Sequence, residues 1–183
     1  MIYRMENEKK PAVFLDRDGV LVEEKGYVSS EEEMNIFPYS MECIKKIKEM
    51  GYYAIVITNQ SGVARGFFSE EKLKEMNAFL IKKLDLDALY YCPHHEKGSV
   101  LKYKCTCKCR KPGIGLIERA CIDFNIDLKH SLFVGDRASD IQTGKNAKMK
   151  TILLESGYGT LHLEEMVSPD YIMNDLREVI KIL

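Results

Sequence analysis

Two carboxylates one residue apart, Asp16 and Asp18, end the apolar run Ala12-Val13-Phe14-Leu15 and are followed at once by Gly19. Four apolar residues are too few for a helix and read as a buried strand, so the acids fall where the chain turns out of it. Like charges placed this close repel unless a cation or developing positive charge lies between them, which is an arrangement for chemistry. In open α/β sheets, ligands sit at the carboxyl ends of the strands. The chemically silent alternative is a polar hairpin turn containing Asp-Gly.

A second set of reactive side chains lies between Cys92 and Cys109, which hold four of the six cysteines beside two histidines. Cys92-x-His94, twelve residues, then Cys107-x-Cys109 supplies three thiolates and one imidazole, a closed tetrahedral set suited to structural Zn²⁺. Such a set leaves no position for water, so it would staple a loop and not perform a reaction. Cys105 offers a slipped register. Cys107 and Cys109 abut Arg110-Lys111, so a metal there would also fix those two cations. His95 reads as a spare solvent-facing residue, and His130 and His162 as surface or helix-end residues. Cys43 and Cys121 sit singly in helical patterns and read as small buried apolar residues.

These residues have to be positioned by alternating strands and helices. Beyond Ala12–Leu15, strands are expected at 53–57, 88–91, 132–134 and 151–154, with a short edge strand at 171–173. Helices are expected at 40–50, where Met41, Ile44 and Ile47 give the spacing, and from an N-cap at Ser69 through Leu84. Further helices are expected at 114–124, with Ile114, Ile117, Ala120 and Cys121 inward, at 140–146, and after Asn174 as cap. Residues 20–37 carry charge and turn formers without clear periodicity and read as a surface loop. Strands separated by helices of this length imply right-handed crossovers and a parallel sheet covered on both faces. The fold expected is therefore α/β: a three-layer, Rossmann-like parallel sheet without a cap, one domain over residues 1–183, with a zinc-binding loop at 92–109.

The bulk properties narrow the partners. A chain of 183 residues, 45% hydrophobic and 30% charged with net charge −1, gives no broad footprint for nucleic acid or an anionic membrane. No apolar run is long enough to span a bilayer, and the start, Met1–Lys10, reads as lacking a signal-peptide core. The expected location is the cytoplasm, where cysteines stay reduced, and the expected state is a monomer.

Three motifs, FLDRDGV at Asp16–Asp18, ITNQSG at Thr58–Gly62 and VGDRASD at Asp136–Asp140, occur in order with Arg110-Lys111-Pro112 between the last two. Together they resemble the haloacid dehalogenase superfamily of phosphohydrolases over nearly the whole chain. The chemistry fits: phosphoryl transfer needs an in-line nucleophile, neutralisation of the equatorial oxygens and a proton for the leaving oxygen. Asp16 suits the nucleophile through an aspartyl-phosphate, and Asp18 the acid and then the base. An anionic nucleophile approaching an anionic phosphate calls for a divalent cation, and oxygen ligands favour Mg²⁺. The resemblance implies Mg²⁺ held by Asp16, the Asp18 carbonyl and Asp136, and a phosphoryl group held by Thr58, Asn59 and Lys111. Asp140 would support the metal from behind or simply begin a helix.

Within the superfamily, YYCPHH, CKCRKP, KGYV at Lys25–Val28 and NQSGVARG at Asn59–Gly66 resemble the branch of D-glycero-D-manno-heptose-1,7-bisphosphate 7-phosphatases and their histidinol-phosphate phosphatase relatives. The substrate implied is a small sugar bisphosphate losing its 7-phosphate, with histidinol phosphate as the alternative. A second phosphate wants cations, and Ser61, Arg65, Arg110 and Arg137 are the candidate specificity residues. GDRASDIQ is as close to the histidinol pattern as to the heptose one, and RKPGIG departs from the usual heptose text after RKP.

Overall fold

A computed structural model describes residues 9–162 and 167–183; Met1–Glu8 and the side chain of His162 lie outside the described residues. The central strand is β1 (Ala12–Leu15), followed by α1 (Ser40–Glu49), β2 (Tyr53–Asn59), a short α2 (Gly62–Arg65), α3 (Glu70–Leu84) and β3 (Ala88–Cys92). The second half runs α4 (Gly115–Asp123), β4 (Leu132–Gly135), α5 (Ala138–Asn146), β5 (Lys150–Leu154), β6 (Tyr171–Met173) and α6 (Leu176–Val179). The six strands form one sheet in the order β3-β2-β1-β4-β5-β6 with every pairing parallel. Among the described residues, no helix is long and apolar enough to cross a membrane.

All four residues of β1 are buried because both faces of the sheet are covered. The period of two then sorts them. Val13 and Leu15 face the layer of α1, α3 and α6, whereas Ala12 and Phe14 face the layer holding α4. Chain order reverses across β1, since β2 and β3 extend to one side and β4 to β6 to the other. The crevice at the carboxyl ends of β1, β2 and β4 is thus the topological switch point where such sheets bind ligands.

Ser69 caps α3 as expected, its Oγ accepting the Lys72 N–H at 3.1 Å. Three expectations are corrected. Residues 20–37 are not simply a surface loop: Val20, Leu21 and Val22 are fully buried and Val28 and Met34 nearly so. Leu21 O accepts the Ser40 hydroxyl and Phe37 N–H, so this segment is tied under α1. Met41 is half-exposed, and α1 instead buries Ser40, Cys43, Ile44 and Ile47. The cap of α6 is Asp175, which accepts the Arg177 N–H at 2.9 Å, while Asn174 bonds to Glu178.

The helix α5 lies very close to β4 and β5 because Gly144 has no side chain. A Cβ there would collide with the Thr151 methyl and come within 2.9 Å of Phe133 Cβ. Gly144→Ala is expected to destabilise by about 1–3 kcal/mol through overpacking, despite alanine's better helix propensity. Adding Thr151→Ser, which deletes the methyl and keeps the hydroxyl that meets Asp170 at 2.8 Å, should recover part of the loss. Urea midpoints of the wild type and the two variants check this, and an unchanged midpoint for Gly144→Ala would refute the close approach.

Candidate active site

The sheet holds Asp16 at the crevice directly: its N–H donates to Val134 O of β4 at 2.9 Å, extending the ladder one residue past β1. The chain then turns tightly. Gly19 adopts φ +81°, and Gly19 N–H donates to Val22 O at 2.7 Å. Gly19 and Gly157 both abut the Asp136 carboxylate so closely that a Cβ on either would collide with it. The third aspartate is therefore clasped between two glycine backbones at the end of β4.

Lys111 lies on the opposite side. It is 4% exposed, and its ammonium sits 2.9 Å from Asp16 Oδ1, 2.6 Å from Asp140 Oδ1 and 3.0 Å from Ile57 O. Burial pulls its pKa down, but the Asp140 and Asp16 carboxylates outweigh that and leave it above the ordinary lysine value. Asn59 fixes the lysine's backbone, accepting Lys111 N–H at 3.0 Å on Oδ1 and donating to Lys111 O at 3.2 Å. Thr58 is buried, and its hydroxyl accepts from Gln60 Nε2 at 3.0 Å.

One carboxylate oxygen from each of Asp16, Asp136 and Asp140 lies within 4.8 Å of the other two. Burial, then the charges of Asp16 and Asp140, push the Asp136 carboxyl up to about 8. Burial also raises Asp140, against the pull of Lys111. Asp140 is committed to Lys111 and to the Arg137 N–H at 3.0 Å, which opens α5. Asp136 differs: Oδ2 accepts the Tyr158 N–H at 2.8 Å, but its buried Oδ1 has no hydrogen-bond partner. A buried carboxylate oxygen with nothing to bond, facing a second carboxylate, fits a hard divalent cation.

Asp16, Asp18, Asn59, Ser61, Arg110, Lys111 and Arg137 line one cavity of about 270 Å³. Of the residues expected at the reaction site, Thr58, Asp136 and Arg65 are not on its lining, and Arg65 Nη2 is 3.4 Å from His95 Nε2. Arg137 is on the wall but paired, 2.8 Å from Glu24 Oε2 and packed 4.0 Å over the Tyr158 ring. Arg110 is half-buried, and its Nη1 donates to His94 O at 3.3 Å. Among the described residues, no carboxylate lies within ion-pair distance of Arg110 or Arg65. Glu24, Tyr27, Gln60, Ser139 and Tyr158 also line the cavity and were missed. Tyr27, Gln60 and Ser139 stand inside the motifs KGYV, ITNQSG and VGDRASD and Tyr158 between two glycines, signals that could have found them.

The cysteine segment gathers as a cluster. Cys92, His94 and Cys107 offer atoms all within 4.8 Å of one another, with Cys92 Sγ 3.7 Å from His94 Nδ1. Cys109 stands outside that mutually close set, its N–H donating to Cys107 Sγ at 3.3 Å, and Cys105 is exposed. Burial pushes the Cys92 thiol up to about 12.

A parallel sheet with an aspartate-ended central strand, a buried lysine and a third acid at the switch point is the arrangement of haloacid-dehalogenase-like hydrolases. The HAD-hydrolase-like family model matches residues 108–179. D-glycero-β-D-manno-heptose-1,7-bisphosphate 7-phosphatase of Pasteurella multocida is 42% identical over 81% of this chain and 83% of its own. The enzyme of that name from Yersinia pestis is 35% identical over 94% and 95%. In structure, D,D-heptose 1,7-bisphosphate phosphatase from B. bronchiseptica, complexed with magnesium and phosphate, superposes with a TM-score of 0.79. It is 27% identical and covers 94% of this chain and 97% of its own. The chain belongs to the heptose-1,7-bisphosphate 7-phosphatase family, a branch of those hydrolases.

The crowding of acids has a measurable consequence. Asp136→Asn keeps an acceptor for the Tyr158 N–H and, above about pH 8 where the wild-type carboxyl ionises, removes one like charge, so there and without divalent ions its Tm should rise by about 2–4 °C, the effect of ~1 kcal/mol at this size. Mg²⁺ should raise the Tm of the wild type and leave that of the variant unmoved. Equal Mg²⁺ shifts in both would exclude Asp136 from cation binding.

Proposed function

We propose that the protein hydrolyses the 7-phosphate of D-glycero-β-D-manno-heptose 1,7-bisphosphate in the cytoplasm, as a single domain whose loops enclose the substrate. The observation that carries this reading is Arg110. A cation without a carboxylate partner stands on the wall of the cavity that holds Asp16 and Lys111, where the remote phosphate of a bisphosphate needs one. Histidinol phosphate carries a cation there instead.

In this reading, Lys111 and the Thr58–Asn59 segment hold the transferring phosphoryl group. Asp16 attacks phosphorus as the bond to the sugar oxygen breaks, and Asp18 gives that oxygen its proton. Water then attacks phosphorus of the aspartyl-phosphate, its proton passing to Asp18, and inorganic phosphate leaves with Asp16 restored. Asp16, Asp136 and the Asp18 carbonyl would hold a divalent cation, Mg²⁺ as in the B. bronchiseptica relative, which would supply the positive charge that lets two anions meet.

Initial rates with Mg²⁺ test it. The heptose bisphosphate should exceed histidinol phosphate in kcat/KM by roughly 10–100-fold, the value of one charge-assisted contact of ~1.5–3 kcal/mol. Asp16→Asn should be folded and inactive. Equal or reversed preference would overturn the substrate, and an active Asp16→Asn protein the nucleophile.

The cysteine cluster in this reading holds structural Zn²⁺ through Cys92, His94, Cys107 and Cys109. Backbone bonds from Arg110 N–H to Cys107 O at 3.2 Å and Gly115 N–H to Lys108 O at 2.9 Å tie the cluster to the Arg110-Lys111 turn. Cys107→Ser should lower bound zinc and Tm together. Cys105→Ser should change neither, and loss of zinc in that variant would move the site to the slipped register.

A further inference from the structure

Arg17 stands between the two aspartates in sequence, yet it is one of the largest side chains in the protein to be completely buried, at 1% exposure. A buried guanidinium is costly unless it is matched by an acceptor of the right shape. Its acceptor is one carboxylate. Arg17 Nε lies 3.0 and 3.1 Å from Asp18 Oδ1 and Oδ2, and Nη2 lies 2.8 Å from Oδ1. Neighbouring side chains on an extended strand point to opposite faces, so this contact exists only because the chain turns at Asp18. Arg17 O secures that turn by accepting the N–H groups of Leu21 and Val22 at 3.0 and 3.1 Å.

A second element completes the grip. Gln60, just past β2, donates from Nε2 to Asp18 Oδ2 at 2.9 Å. The carboxylate is therefore held from two directions, with its own side chain 14% exposed and on the cavity wall. Arg17 itself is absent from that wall, so it reaches a bound ligand only through Asp18.

We infer that Arg17, with Gln60 as its second support, is a positioning residue that sets the Asp18 carboxylate at the angle from which it serves the leaving oxygen. This rests on the reading of Asp18 as proton donor. Positioned proton transfer contributes about 10²–10⁴-fold, and a misplacement of ~1 Å can cost about 10²-fold. The contribution matters for an alkoxide, which leaves poorly without a proton, and little for 4-nitrophenolate, which leaves as the anion.

The test compares kcat/KM on the sugar bisphosphate and on 4-nitrophenyl phosphate for the full chain with Mg²⁺. Arg17→Met should lose roughly 10²-fold on the sugar phosphate and less than about 5-fold on the aryl ester. Arg17→Lys, which keeps charge but not the fork, should fall between, and Gln60→Leu should show the same selective loss in smaller measure. Gln60→Leu and Arg17→Lys carry the test if Arg17→Met does not fold. Asp18→Asn separates the two readings. If it depresses both esters equally, Asp18 is not the donor. If it spares the aryl ester while the Arg17 and Gln60 variants depress both alike, or neither, the positioning role is overturned and Asp18 stands.

Discussion

The structure depends on one electrostatic imbalance: three buried carboxylates, Asp16, Asp136 and Asp140, gathered around a single ammonium. Lys111 bridges Asp16 and Asp140 at 2.9 and 2.6 Å, and Asp136 is left with a bare oxygen and a raised pKa. Removing charges from water is expensive, and partial pairing does not repay it. The fold bears this cost because the crevice is built from main-chain geometry that does not yield. The β1–β4 ladder sets Asp16, and two glycine backbones enclose Asp136. A site that is over-supplied with acidic groups and enclosed by main chain favours a cation.

The same constraint explains why the approach of Lys111 is so heavily secured. Its backbone is held on both sides by the Asn59 amide, and its neighbours on the turn are tied to the cysteine cluster. An ammonium free to swing into solvent would leave Asp16 and Asp140 facing each other. Fixing the turn from outside the sheet, by a loop that follows β3, therefore stabilises acids on β1 and α5 with which it shares no sequence neighbourhood.

Much of this was legible in the chain, for a physical reason. Short apolar runs that stop at polar residues mark strands buried on both faces, and because all are parallel their polar ends must share one rim. That logic brings the polar segments after β1, β2, β3 and β4 to one rim, and the resemblance to the superfamily supplies which of their residues, Asp16, Asn59, Lys111 and Asp136, share a site. It failed where tertiary packing overrides local pattern. Val20-Leu21-Val22 is flanked by charge and lacks periodicity, yet fills the space under α1. Asn174 and Asp175 are equally good caps on paper, and only the backbone turn decides for Asp175. Charge pairing across loops is equally silent in sequence. Arg137 looked free until Glu24, 113 residues away, proved to hold it.

That last pairing reshapes the argument about selectivity. Three arginines near a rim suggest a broadly cationic mouth, but the structure divides them. Arg137 is neutralised by Glu24 and stacked on Tyr158, so it serves as a wall that closes one side of the cavity. Arg65 is not among the lining residues; its Nη2 meets His95 Nε2 and its guanidinium lies 5.9 Å from the Tyr27 ring. Of the three, Arg110 combines a place on the wall with the lack of a carboxylate partner, and burial, then nearby Arg65 and Arg137, hold its pKa below the ordinary arginine value. In the proposed reaction, discrimination between a bisphosphate and a monoester then rests on a single guanidinium whose backbone is anchored to the cysteine loop. Under that proposal selectivity and loop integrity become one property, because Arg110, which would read the remote phosphate, directly precedes Lys111, which would hold the reacting one.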